Sequence, residues 1–530
     1  MQSATIVSMH TSTYCTRSCD KLPSELELVV RRVRVMARVL ALFLMAVLGS
    51  DLAQAEVAAT SPGELKLSPS GHYVSYRGKP LLLIGDSGTQ CVTQNSNLDH
   101  RAWIDACAER GIRAVHVWAF TPAKQKQDGS VIERRWGYLY PDVTPWKRNT
   151  SKPLAFDQRF QWDLQSFDDG ADGAFDHYWP RLRDLCSYAK SKNILVGITV
   201  FFGWPKHNSA SQPDWLYHPL NEHNGGFLTD RGKIVTAPQT ISSPGNEVWR
   251  EEWSDSWPSA KKTQWVWERY ARELIRQTLP IGNVFYVFMD EHSYDEGNCG
   301  DHFRDFFRSR GAIWMDWGER RDSIDLVYDQ LLLTPKSDRR LTSQFGRRPA
   351  RPFFALEEGS EGGLNYTSDV LPTVWRYSIA GGNYFHHNDY AQENAQTGVM
   401  VFDPNVRGGQ KERVLERLAW LGNASRLYNE TVKNLDSMAP HNELIRNDQK
   451  TFCLANPGSE YVVYSQADST ASFDLDLSDG AGVVDCRFYN PRTGQFGPPF
   501  QRPGKSTATI SKPDLDAWVL YCIFGESNGN

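Results

Sequence analysis

Leu81-Leu82-Leu83-Ile84-Gly85-Asp86-Ser87-Gly88-Thr89-Gln90 is the stretch on which the fold turns. Four apolar residues without alternation suit a strand covered on both faces, and the glycines that follow supply its stop. A helix is expected from about Leu98 to Arg110, ending at Gly111. The succession then repeats. Strand Ile112 to Phe120, a helix carrying Leu182, Leu185, Cys186 and Ala189, strand Ile194 to Phe202, a helix around Val266, Tyr270, Leu274 and Thr278, and strand Val284 to Met289 follow in order. Repeated β-α units with strands apolar on both faces imply a parallel sheet under helices. A dinucleotide-binding, doubly wound sheet requires a three-glycine turn opening a helix, and Gly85-Asp86-Ser87-Gly88-Thr89-Gln90 lacks the third glycine and the helix start in register. The expected fold class is therefore α/β, a (β/α)8 TIM barrel over residues 66–440, longer than a minimal barrel of roughly 250 residues because of its loops.

After a last helix carrying Leu415, Leu418 and Leu421, Ser437-Met438-Ala439-Pro440 breaks the pattern. Short strands replace it: Thr451 to Leu454, Tyr461 to Ser465, Ser472 to Leu477, Val483 to Tyr489, Thr507 to Ile510 and Trp518 to Phe524. Asn456-Pro457-Gly458 and Asn490-Pro491-Arg492-Thr493-Gly494 are turn signals between them. Residues 441–530 read as a small C-terminal all-β sandwich.

The chain has 530 residues, is 40% hydrophobic and carries a net charge of −5, which excludes disorder as its main state and leaves no basic field for nucleic acid. Arg31, Arg32, Arg34 and Arg38 precede an apolar run from Val39 to Leu48, and Ala53-Gln54-Ala55 is a small-x-small cleavage site. Residues 1–55 are read as a signal peptide, with Met36 as an alternative start. The expectation is a secreted or periplasmic monomer with no membrane segment after cleavage. Beyond Cys15 and Cys19 lie seven cysteines: Cys91, Cys107, Cys186, Cys299, Cys453, Cys486 and Cys522. They form no CxxC pair or Cys/His cluster, so no metal and no cofactor is expected. Cys186 falls at a core position of its helix, and Cys453, Cys486 and Cys522 share one region where a bridge is plausible.

Two connections exceed the usual two to six residues by far: about fifty residues follow Phe120 and about sixty follow Phe202. The segments Trp118 to Trp162 and Trp204 to Trp257, which take in most of these connections, hold Trp118, Trp136, Trp146, Trp162, Trp204, Trp215, Trp249, Trp253 and Trp257, nine of 18 tryptophans. In a barrel these connections share the C-terminal face, so the tryptophans read as a sugar-binding rim.

Chemistry is sought at strand ends. No HExxH, GxSxG, Walker or EF-hand spacing occurs, and Asp474, Asp476 and Asp479 alternate with apolar residues as the solvent face of a strand. Acids do follow apolar strands: Val284 to Met289 runs into Asp290-Glu291-His292, and Phe353 to Leu356 runs into Glu357-Glu358-Gly359-Ser360-Glu361. Two carboxyl groups at a barrel mouth can flank a glycosidic bond, one protonating the leaving oxygen while the other attacks the anomeric carbon or activates water. A rim salt bridge is the plainer reading of any one such acid.

The stretches Gly78 to Ser87, Asp290-Glu291, Arg351-Pro352 through Glu357, Trp375 to Tyr384 and Asn490 to Gly494 resemble the apiosidase-like glycoside hydrolases of family 140. Those are barrel enzymes followed by a domain named for collagen binding. The resemblance implies a retaining mechanism with an acid/base after strand 4, at Glu291 or Asp290, and a nucleophile after strand 7, at Glu357, with Glu358 and Glu361 as rivals. Asp290 stands where related barrels often have Asn, and the Trp that usually follows the first-strand motif is absent. Only 66 positions separate Glu291 from Glu357, where three typical βα units take roughly 90. Either the intervening units are trimmed or the Glu357 strand is not the seventh. Asp86, His116, Trp118, Trp204, His292, His386 and His387 are candidate substrate contacts. The reading is a glycoside hydrolase acting on a carbohydrate substrate, and its alternative is a non-catalytic carbohydrate-binding or adhesion protein.

Overall fold

The computed structural model describes residues 64–525, apart from 88–91, 97, 121–142, 202–218, 228–259, 290–296, 318–324, 329–336, 359–366 and 387–408. Residues 60–530 form one compact unit. The signal-peptide reading lies outside the described residues.

The chain enters as a three-stranded antiparallel sheet, β1 (Leu65–Leu67), β2 (Val74–Tyr76) and β3 (Lys79–Leu81). β4 (Ile84–Asp86) then opens the barrel. The apolar run that reads as one strand is thus two. Leu81 closes the small sheet, whereas Ile84 to Asp86 pairs with the barrel. A run apolar on both sides fits either position, which is why the pattern hides the break.

Helix α1 (His100–Glu109) follows, capped by the Asp99 carboxylate, which accepts from the amides of Arg101 and Ala102. Next come β5 (Ala114–Trp118), a hairpin of β6 (Trp146–Arg148) and β7 (Trp162–Phe167), α2 (Tyr178–Ser191), β8 (Leu195–Phe201), α3 (Ala260–Thr278) and β9 (Val284–Met289). The barrel continues through α4 (Gly297–Arg308), β10 (Trp314–Trp317), β11 (Leu326–Tyr328), α5 (Ser337–Gly346), β12 (Phe353–Glu358), α6 (Thr367–Ile379), β13 (Asn383–His386) and α7 (Gly409–Arg426). Eight parallel strands close in the order β4-β5-β8-β9-β10-β11-β12-β13, with β13 pairing back to β4. The expected barrel is the observed one.

Strand side chains divide between two layers. Leu83, Ala114, Leu195, Phe285, Val287, Met315, Phe354, Leu356 and Phe385 fill the barrel with one apolar cluster, joined by Val74, Tyr76 and Leu81 of the small sheet. Since Ala114 and Leu195 begin their strands, the small sheet plugs the N-terminal end, and the mouth is the opposite end. Ile84, Val115, Val117, Val196 and Ile198 face the helices. Close approach is extreme at Gly85, where a Cβ would stand 1.8 Å from the carbonyl oxygen of Ala114. No side chain fits between β4 and β5 there.

The C-terminal strands form a six-stranded sheet, β14 (Ala439–Pro440), β16 (Thr451–Asn456), β17 (Glu460–Ser465), β22 (Trp518–Phe524), β19 (Val483–Tyr489) and β20 (Phe500–Pro503) in spatial order. It faces a three-stranded one of β15 (Ile445–Arg446), β18 (Ser472–Asp476) and β21 (Thr507–Ser511). Phe473, Leu475 and Ile510 of the small sheet meet Tyr461, Val463 and Leu520 of the large one. The other face of the large sheet, with Leu454, Val462, Tyr464 and Val519, joins the barrel's own core. Trp375 of α6 stacks on Tyr464 at 5.9 Å, and the turn after β19 docks on α7 through Asn423, which donates to the carbonyls of Pro491 and Arg492. At the same seam the buried Glu460 carboxylate accepts from the amides of Lys433 and Asn434 and from the Tyr521 hydroxyl. Burial of that sheet on both faces makes the seam an extension of the hydrophobic core.

Candidate active site

Counted from β4, β9 is the fourth barrel strand and β12 the seventh. Residues 290–292 follow directly on the last residue of β9, Met289, and Glu357 and Glu358 end β12. The short spacing between the acids has a specific origin. Only residues 318–325 lie between β10 and β11, fewer than the ten to twelve a helical crossover needs. The fifth βα unit is trimmed, and the strand bearing Glu357 is the seventh.

Asp290, Glu291 and His292 lie outside the described residues, as do Glu361, Trp204 and His387. The backbone of β12 carries a feature the sequence does not announce. Ala355 pairs with Tyr384, yet Glu358 rather than residue 357 pairs with His386, so β12 holds one extra residue between them. Such a bulge breaks strict alternation and re-aims the side chains beyond it, which is why alternation alone leaves Glu357 and Glu358 undivided. His386 pairs with Asp86 on its other side. The ends of the seventh, eighth and first strands therefore stand at one level.

Beneath that level lies a buried polar network. His116 on β5 points into the barrel with Nδ1 2.7 Å from Ser87 Oγ and Nε2 2.7 Å from Thr199 Oγ1 on β8. Ser87, which follows β4, donates its hydroxyl proton to the carbonyl of Leu356 and its amide to the carbonyl of His386, at 2.8 Å for the latter. With its one proton spent on Leu356, Ser87 Oγ accepts from His116 Nδ1–H, and Nε2 pairs with the Thr199 hydroxyl. Ser87 and His116 are fully buried and Thr199 nearly so. The Leu356 carbonyl belongs to the peptide bond leading into Glu357. The network thus ties the first, second and third strands to the bulge from which Glu357 departs, a positioning role of the kind that holds catalytic groups in place.

The remaining described candidates are distributed around this network. Asp86 turns toward the helix layer, where Oδ2 accepts from the Trp103 indole at 2.8 Å. Trp118 is buried, its ring 4.6 Å from that of His116. His386 is buried with Nδ1 3.2 Å from the Tyr384 hydroxyl. Ser87 and Thr199 were not singled out by the sequence. The available signal for Ser87 was its place directly after the first-strand carboxylate; for Thr199 it was a polar residue inside an apolar strand.

The tryptophan rim requires correction for Trp118, Trp146 and Trp162. All three are buried. The β6–β7 hairpin folds back and packs Trp146 against Trp267 at 5.8 Å and Tyr270 at 5.5 Å of α3. Trp162 donates from its indole to Thr144 Oγ1, and the Arg148 guanidinium covers its ring at 3.7 Å. A long connection must build its own core before it can present a surface, and large aromatic side chains serve that need. Trp136, Trp204, Trp215, Trp249, Trp253 and Trp257 lie outside the described residues. Among the described residues no cluster of three or more His, Cys, Asp or Glu is arranged to hold a metal ion. Asp474 and Asp476 lie on the outer side of β18, held by Thr509 and Arg446 respectively.

No protein-family model matches the chain, and no curated protein matches it. Among solved structures, the chain is similar to a glycoside hydrolase family 5 structure from Bacteroides vulgatus ATCC 8482, with TM-score 0.58, 14% identity, and coverage of 87% of this chain and 93% of the other. A second structure, described as a glycoside hydrolase, gives TM-score 0.56 and 11% identity, covering 88% and 98%. At these identities the likeness is one of fold, and it extends over both the barrel and the C-terminal strands. The chain has the fold of these glycoside hydrolase structures, a (β/α)8 barrel followed by antiparallel sheets.

Proposed function

We propose that this protein is a glycoside hydrolase that cleaves a polysaccharide or oligosaccharide by a retaining, two-carboxylate mechanism. One observation carries the proposal: the acids at positions 290–291 follow the fourth strand, and those at 357–358 end the seventh, of a closed barrel whose other end is plugged. In this reading Glu291 protonates the leaving glycosidic oxygen and later activates water, and Glu357 attacks the anomeric carbon, with Asp290 and Glu358 beside them. The likeness to glycoside hydrolase structures supports the fold on which this arrangement rests. The Arg-rich start and apolar run before Ala55 support export to the periplasm or medium.

The test is a screen of reducing-sugar release from pectic and hemicellulosic polysaccharides, followed by Glu291→Gln on whichever substrate responds. Loss of turnover by at least 10²-fold, with glycan binding kept, is expected for removal of an acid/base. Wild-type turnover in that variant would remove Glu291 from the mechanism. Binding without release of sugar by the wild-type protein would favour the non-catalytic reading.

A further inference from the structure

The six-stranded sheet is wider than the barrel surface that covers it. Helix α6 packs over β16 and β17, and β19 and β20 extend past that contact to the sheet's edge. Where they do, a concavity of about 770 Å³ opens, lined among others by Asp485, Arg487, Phe496, Gln501, Tyr521 and Ile523. The lining follows from strand register. On β19 the burial alternates, so Asp485 and Arg487 project to the outer side while Val484 and Cys486 face the sandwich core. Asp485 stands opposite Gln501 on one side and Ile523 on the other, and Arg487 stands opposite Tyr521.

The site is held in shape. Gln501 donates to Asp485 Oδ1 at 2.8 Å. The Tyr521 hydroxyl donates to Glu460 Oε1 at 2.6 Å, which fixes the ring. Phe496 leans on Tyr489 with ring centroids 4.8 Å apart and reaches Tyr521 edge-on at 6.4 Å, yet it remains 36% exposed. Arg487 is exposed and makes no hydrogen bond or ion pair among the described residues. A partly exposed aromatic ring thus stands beside an unpaired guanidinium, a carboxylate and an amide.

We propose that this groove is a second carbohydrate-binding site, carried by the C-terminal sheet, that holds a glycan chain of the same substrate the barrel cleaves. The proposal rests on the glycosidase reading for the identity of its occupant. A simple anion would be repelled by Asp485 and a simple cation by Arg487, whereas a polyol has donors and acceptors for both. The aromatic ring offers an apolar surface to the C–H face of a sugar, and the polar groups around it fix orientation, the combination found in ligand pockets. A peptide added to the sheet would pair with the backbone of an edge strand, but here the groove presents side chains of the sheet face.

Affinity electrophoresis of the full-length protein through gels containing galactomannan, xyloglucan, arabinoxylan or rhamnogalacturonan tests the idea, with gelatin as the protein probe. The wild type and Glu291→Gln are expected to be retarded equally by at least one of the glycans. Phe496→Ala and, separately, Arg487→Ala should weaken that retardation at least tenfold while leaving hydrolysis of 4-nitrophenyl glycosides unchanged. Arg487 is exposed and unpaired, so its variant keeps the test valid if Phe496→Ala misfolds. No retardation by any glycan, equal retardation in both groove variants, or retardation by gelatin alone would overturn the proposal. If the groove variants lose retardation but no preparation hydrolyses any substrate, the glycosidase reading has failed and the groove stands.

Discussion

Replacing Ser87 by Ala removes one oxygen atom from the centre of the network under the barrel mouth. The Leu356 carbonyl loses its donor and His116 Nδ1–H loses its acceptor. Both groups are sealed from water, since Leu356 is 1% exposed and His116 fully buried. A buried polar group left unsatisfied costs about 1–3 kcal/mol, so two of them put the loss of stability at about 2–4 kcal/mol after local relaxation. The catalytic effect is of a different kind. Ser87 ties down the peptide bond into Glu357, and a displacement of about 1 Å in a reacting group costs on the order of 10²-fold in rate. Urea unfolding followed by tryptophan fluorescence gives the first quantity, and kcat on a responding polysaccharide gives the second. Thr199→Val is the control: it removes only the partner of His116 Nε2, two strands away from β4, and should cost about 1–2 kcal/mol with a smaller fall in kcat. If Ser87→Ala unfolds within about 0.5 kcal/mol of wild type, the range of an ordinary surface substitution, and keeps its kcat, the network neither stabilises the mouth nor positions Glu357.

Gly85→Ala places a methyl group 1.8 Å from a backbone oxygen of the neighbouring strand; the variant should be recovered as insoluble protein or melt far below wild type, and soluble protein of unchanged Tm would contradict the strand contact. Stability should also fall with acid in two stages. Burial holds His100 below its ordinary value of 6.5, against the opposing pull of Asp184, so the unfolded chain takes up that proton first and stability declines as pH drops below about 6.5. Burial would raise Asp184, but its bonds to Arg101 and His100 outweigh burial and hold it below 3.8; its contribution is full above that value and lost as pH falls beneath it. Asp184→Asn should abolish the second stage in urea titrations across pH, and an unaltered profile would show the cluster to be inert. Cys486 and Cys522 are directly opposed on β19 and β22, buried, with sulfur atoms 2.6 Å apart. Refolding in a glutathione/glutathione disulfide buffer should link them and add up to about 4 kcal/mol for a loop of this length; peptide mapping that finds both as free thiols would refute the expectation.

The barrel was legible because its signal is repeated: apolar strands such as Val284 to Met289 alternate with helices whose core positions recur at helical spacing. The positions of β9, β19 and β22 match residue for residue the strands read from the pattern. Three features escaped. The division of Leu81 to Ile84 between two sheets leaves no mark, because both halves are buried. The bulge in β12 is a matter of pairing with β13, which no single strand encodes. Burial of Trp146 depends on Trp267 and Tyr270 of α3, far along the chain, and that of Trp162 on Thr144 and Arg148 of its own connection, so a count of tryptophans per loop could not distinguish a binding rim from a loop core. At the site, strand-end acids are visible in sequence because apolar strands stop at them, while Ser87 and Thr199 acquire meaning only when β4, β5, β8 and β12 are brought side by side.

The separation of the Glu291 and Glu357 carboxyl groups in a crystal structure tests the central claim most directly. A retaining glycosidase requires about 5–5.5 Å, and that is the expected result. A separation of about 6.5 Å or more would contradict retention, and one beyond about 9.5 Å would leave the two acids unable to act on a common glycosidic bond.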